Sequence, residues 1–187
     1  MARDSTAWVR AVRAVCRAID AITFAGGVFA AGCCALLAIM LITEVIATSA
    51  FAWSQPWAVE YSAYLCGFTL LAGSGYALRS GSHIRVMLAL EWSPSRARLA
   101  IELFCTTAAL VVAAMLSWGL IELAWRSHVR NSVSYFAMQT PLAWPQAAMA
   151  AGAVLLSAAL VARLLRLLIG DPPDLATDAG SATARAE

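Results

Sequence analysis

The sequence predicts an all-α integral membrane protein: four transmembrane helices, both termini in the cytoplasm, and no room for a soluble catalytic domain. Three observations carry this. First, 61% of the 187 residues are hydrophobic and 13% are charged, with a mean hydropathy of +0.74, far from the balance of a water-soluble domain. Second, the charges fall in short segments between long uncharged runs, each about as long as a helix needs to cross a hydrocarbon core about 30 Å thick. Third, the arginines are distributed unevenly. Four lie before the first run, four between Arg79 and Arg98 and two at Arg163 and Arg166, against none and two in the intervening loops. Basic residues collect on the cytoplasmic side, so four spans with both ends inside satisfy the asymmetry.

Residues 1–20 read as a basic amphipathic segment. Trp8, Val12, Val15, Cys16 and Ile19 recur at spacings of three and four, while Arg10, Arg13 and Arg17 share another face. Such a helix either lies on an anionic leaflet or extends the first span into the cytoplasm. Ala21 to Thr43 is uncharged and bounded by Asp20 and Glu44, giving a first span over 21–43. The loop from Glu44 to Glu60 carries two carboxylates and no arginine, with Trp53 and Trp57 as interfacial aromatics, and so belongs outside. Eighteen uncharged residues, Tyr61 to Leu78, form the second span; Gly67, Gly73 and Gly75 within it suit close helix packing.

Arg79 ends that span. Ser82 to Trp92 reads as a short interfacial segment, and Ser93 with Pro94 as an N-cap and first helical residue opening the third span, over 99–121. Glu102 lies about one turn inside it. An unpaired carboxylate costs on the order of 2 to 3 kcal/mol at the bilayer centre. The reading is a span-entry ion pair with Arg98, four residues earlier. Glu122 to Trp144 forms the second outer loop, and Pro141 and Pro145 bracket the start of a fourth span over 146–168. Proline is tolerated there because first-turn amides lack helical acceptors. Residues 169–187, rich in Ala, Asp, Pro, Ser and Thr, read as a disordered cytoplasmic tail.

The same residues exclude several kinds of function. The net charge of +2 does not suggest a nucleic-acid partner. Cys16, Cys33, Cys34, Cys66 and Cys105 form no C-x-x-C, which argues against a zinc site or a disulfide framework. No Ser, His and Asp arrangement and no H-E-x-x-H motif is present, so the chain does not read as an enzyme. Two alternatives are a small anchor subunit of a membrane oxidoreductase and an autonomous homodimeric exporter. The first needs facing axial histidines, whereas His83 and His128 fall in loops on opposite sides; the second needs an intramembrane carboxylate that the first span lacks.

A carboxylate opening the second span and an exit reading ALRSGSHIRV, in a four-helix layout, resemble the small membrane subunit, the Q-type or DctQ-like component, of tripartite ATP-independent periplasmic (TRAP) transporters. The resemblance rests on Glu60, Arg79, Gly81, His83, Ile84 and Val86, with a looser match over Asn131 to Pro145. Where the family often has an acid directly after the valine, this chain has Met87. The resemblance implies a bacterial inner-membrane, multi-pass scaffold subunit. Its partners are a large multi-span permease subunit, which does the transporting, a periplasmic substrate-binding protein and membrane lipid. The complex takes up an organic acid, carboxylic or sugar, by symport with sodium, and this chain binds no cofactor, metal or substrate. On the same basis Glu60, Arg79, Gly81, His83, Ile84 and Arg85 form a candidate subunit-interface or structural motif. Glu60 is either an outer-face contact or a boundary carboxylate. Arg79, His83 and Arg85 either clamp a neighbouring helix or headgroups or simply set topology, and Gly81 permits the turn.

Overall fold

The computed structural model describes residues 2–81, 95–136 and 138–172. Four α-helices make up this part: α1 (Ala2–Phe51), α2 (Ala58–Arg79), α3 (Ser95–Val129) and α4 (Ala143–Ile169). An isolated antiparallel bridge joins Val133 to Pro141 in the loop between α3 and α4.

Helix α1 is continuous over 50 residues, about 75 Å at 1.5 Å per residue. The basic amphipathic segment is therefore part of the first helix. Its apolar stripe, Val12, Cys16 and Ile19, packs on Ala162, Leu165 and Ile169 of α4. The helix also passes Glu44, where the first loop was expected to begin, and ends at Phe51. Nothing between 44 and 51 breaks a helix, and the Thr48 hydroxyl donates to the Glu44 carbonyl. The Glu44 carboxylate then accepts from Ser54 Oγ at 3.1 Å and from the Gln55 amide at 3.1 Å, which fixes the short turn into α2.

Helix α3 likewise overruns its expected end. It continues through Glu122, which pairs with Arg126 at 2.8 Å one turn on, and stops at Val129. The second outer loop is correspondingly shorter than the Glu122 to Trp144 expected. Asn131, just beyond α3, takes a left-handed conformation, φ 48°. At the other end of the chain, α4 closes on Gly170, whose φ of 74° lets its amide reach the carbonyls of Arg166 and Leu167. The residue after it is ordered by a side chain: Arg13 donates from Nε and Nη2 to the two oxygens of Asp171, at 2.7 and 2.8 Å. Of the tail expected from 169 onward, residues 169–172 are described. Its residues 173–187 lie outside the described part, as does the interfacial segment from Ser82 to Trp92.

Arg13 holds the Asp171 carboxyl below its usual range. A carboxylate with a depressed pKa stabilises the fold fully at neutral pH and loses that contribution as pH falls through the lowered value. The α1 to α4 tie is therefore expected to survive mild acid and to open only in strong acid. Amide exchange at Gly170 and Asp171 against pH measures this.

Three helices, α1, α3 and α4, are long and apolar enough to cross a membrane. Helix α2 falls short of that apolarity, so the count of four spans is not met by composition alone. The physical reason is its position. Helix α2 packs on α1 and on α4, and α4 packs on α1, α2 and α3, while α3 is held mainly by α4. A helix face packed on protein needs small residues more than lipid-soluble ones, and each glycine expected to allow close packing faces a neighbour in this chain. A Cβ on Gly67 would meet Met149 at 3.1 Å, on Gly73 the Ala30 Cβ at 3.2 Å, and on Gly75 the Thr23 Cγ2 at 3.1 Å. Leu78 of α2, Ala113 of α3 and Ala159 and Leu160 of α4 form one apolar cluster, and α3 and α4 also meet through the Ser117 and Ser157 hydroxyls, 3.0 Å apart.

Candidate functional site

Polar side chains gather at the two ends of the bundle. At the end that carries the chain turns, Glu60 sits in the first turn of α2 and is 1% exposed. Tyr64, one turn further along the same face, donates its hydroxyl to Glu60 Oε1 at 2.8 Å. The Ser134 and Thr140 hydroxyls stand beside the same carboxylate. Among the described residues no group has hydrogen-bond geometry towards Oε2. A desolvated carboxylate needs such donors, and here the α3–α4 loop supplies them.

The loop is shaped to do so. Ser134 N donates to Thr140 O at 3.0 Å, Leu142 N to Ser132 O at 3.0 Å and Ser132 N to Ser127 O at 2.9 Å, which makes a small hairpin bent back on the end of α3. Glu60 is therefore buried within this chain, 1% exposed, beside this hairpin. The hairpin's other side is apolar and open: Val133, Tyr135, Phe136 and Met138 are all exposed. Glu60→Ala removes the acceptor of the Tyr64 hydroxyl and the carboxylate beside Ser134 and Thr140. The expected result is faster amide exchange at Ser132, Ser134 and Leu142 with the helices unaffected, measured by hydrogen exchange and mass spectrometry.

At the opposite end, Asp20 is the centre. Its Oδ2 lies 2.6 Å from Arg166 Nη2 and 3.3 Å from Arg79 Nε, so one carboxylate joins α1, α2 and α4. Arg166 also donates to the Cys16 carbonyl at 3.3 Å, and only 8% of its side chain is exposed. Asp20 and Arg79 bound the uncharged runs of α1 and α2, and Arg166 lies one turn beyond Arg163, where the run of α4 ends, so the charges meet near one level of the bundle. The α2 exit turns at Gly81, with φ 77°, a conformation that costs a non-glycine residue about 1 kcal/mol or more.

Of the residues singled out by sequence, Glu60, Arg79 and Gly81 are thus placed, the first at one end and the other two at the opposite end. They do not form one site. His83, Ile84 and Arg85 lie outside the described residues. Arg98 Nε stands 3.5 Å from Glu102 Oε1 on α3. Sequence reasoning passed over Asp20, Arg13, Arg166, Asp171, Tyr64 and Thr140. Asp20 did carry a signal: it is the one acid bordering an uncharged run at the arginine-rich end of α1, where a compensating partner is needed. Among the described residues no three His, Cys, Asp or Glu side chains come together in a way that holds a metal ion.

Neither a search of curated proteins nor one of solved structures found a match. The family model for the DctQ component of tripartite ATP-independent periplasmic transporters matches residues 37–170, which spans most of α1's second half and all of α2, α3 and α4. That range takes in Glu60 with its hairpin as well as Arg79 and Arg166, and a transporter component of this kind is not an enzyme. An all-helical chain with three helices apolar enough for a membrane, matched over more than half its length, belongs to the DctQ family, the small permease component of TRAP transporters.

Proposed function

We propose that this chain is the stationary scaffold of its transporter, holding a large multi-span permease subunit in the bacterial inner membrane while that partner moves the solute. A periplasmic binding protein delivers the solute, an organic acid of the carboxylic or sugar type, and a sodium gradient drives its uptake. The chain itself binds no substrate and no cofactor. Its termini face the cytoplasm and α2 crosses the membrane together with the other three helices.

The observation that carries this reading is the distribution of charge against exposure. Residues 21–43, 61–78, 103–121 and 146–162 hold no charged side chain, whereas solute and ion sites in secondary transporters lie near the midplane and use polar groups or broken helices. Meanwhile α3 exposes Phe104, Val112, Met115 and Trp118, and α1 exposes Phe29, Ile39 and Ile42. Such faces suit lipid and a partner's helices.

Reconstitution tests it. Vesicles containing this chain alone are expected to accumulate no organic acid under a sodium gradient, and gentle detergent extraction is expected to recover a large polytopic partner in stoichiometric amount. Solute accumulation by the chain alone overturns the scaffold. For orientation, a cysteine at Tyr135 is expected to react with an impermeant maleimide in intact cells, and one at Arg17 only after permeabilisation.

A further inference from the structure

At the arginine-rich end, α1, α2 and α4 enclose a cavity of about 410 Å³ whose polar lining is Arg13, Arg17, Asp20, Arg79, Arg166 and Asp171. Among the described lining residues, four guanidiniums face two carboxylates. Both carboxylates are already engaged, Asp20 by Arg79 and Arg166 and Asp171 by both bonds from Arg13. Arg17 donates to the Arg13 carbonyl at 3.4 Å and, among the described residues, forms no ion pair.

Three features of this cavity point to a ligand. Each guanidinium carries five N–H donors, more than two carboxylates accept, so donors remain for a further acceptor. Arg166 and Arg13 are fixed by their own partners, which lowers the ordering cost of binding. The cavity also lies at the level where the uncharged runs of three helices stop, beginning after Asp20 and ending at Arg79 and at Arg163. In a membrane this is the plane of the headgroup phosphates. Guanidinium is the side chain best matched to phosphate oxygens, in charge and in fork geometry.

We propose that this cavity binds a phosphate-bearing anion, the headgroup of an anionic phospholipid, with Arg17 supplying the charge that no carboxylate among the described residues neutralises. The lipid then bridges α1 to the ends of α2 and α4 and reinforces the junction that Asp20 makes. The proposal concerns this chain alone and does not rest on the scaffold reading.

Native mass spectrometry of the delipidated full chain, titrated with phosphatidylglycerol or phosphatidylcholine, tests it. The expected result is one phosphatidylglycerol bound at least about fivefold more tightly than phosphatidylcholine, the discrimination falling by about that factor in Arg17→Gln. Arg17 is exposed, so the variant's melting temperature is expected to match the parent's when both are lipid-free. Asp171→Asn, which frees Arg13, is expected to shift affinity the other way. Equal binding of the two lipids, or unchanged discrimination in Arg17→Gln, overturns the proposal. Inorganic phosphate separates the sources: if it alone displaces bound phosphatidylglycerol at low millimolar concentration, the site is one for a soluble anion and the lipid assignment fails.

Discussion

Asp20→Ala is expected to cost about 2 to 3 kcal/mol of stability, because it strands two cations at once. Breaking a fully buried pair costs about 3 to 5 kcal/mol, and the lower figure reflects the 28% exposure of the Asp20 side chain. Arg166 is the more affected partner, being nearly buried at 2.6 Å, while Arg79 at 3.3 Å is closer to the surface. A cycle separates this from simple loss of packing. Arg166→Met in the Asp20→Ala background is expected to cost much less than in the parent, since the stranded cation is removed with it. Unfolding of the purified protein in mixed micelles by rising SDS fraction measures all four members. Additive costs would show that the junction contributes nothing beyond its separate parts.

The second large effect is steric. A Cβ on Gly152 would meet Leu71 Cβ at 2.8 Å, the Leu71 carbonyl carbon at 2.9 Å and the Ala72 nitrogen at 3.0 Å, two of these being backbone atoms that no rotamer change relieves. Gly152→Ala therefore forces α4 away from α2 and is expected to cost about 1 to 3 kcal/mol, as overpacking of tight cores does. Gly152→Leu is expected to prevent the helices from docking. The control lies on α3: a Cβ on Gly119 meets nothing within 4 Å, and Gly119→Ala is expected to leave stability unchanged or slightly raised by helix propensity. If both alanine variants unfold alike, α2 and α4 do not approach as closely as described.

These two sites also show why their effects were hidden from sequence. Gly152 stands in an alanine-rich run, AAMAAGAVLL, where any small residue looks equivalent; only the position of Leu71 across the interface distinguishes it. Asp20 and Arg166 are 146 residues apart, and Arg13 and Asp171 are 158 apart. Nothing local relates them. Their meeting depends on how α1 and α4 are rotated about their axes and on where along each axis they touch. Glu60 is a middle case. Its place at the start of α2 was legible, but whether it faced water, a partner or its own chain depended on a hairpin some seventy residues later, around Ser134 and Thr140.

What the sequence determined by itself is the solvent. Uncharged runs between clustered charges dictate helices that satisfy their own backbone in lipid, because no other local structure hides an amide there. The limits of the uncharged runs, Arg79 and Arg163 among them, followed directly from that. Helix ends did not, since a charge marks where water begins, and α1 and α3 run on past Glu44 and Glu122 with no residue to stop them. Tertiary structure decided which helix is enclosed and which charges are spent. Helix α4 is the one packed on all three others, α2, the least apolar in its middle, lies against α1 and α4, and the arginines of three helices share two aspartates. Hydrophobicity is a property of each segment alone, but pairing and close approach belong to surfaces that exist only once the helices have packed.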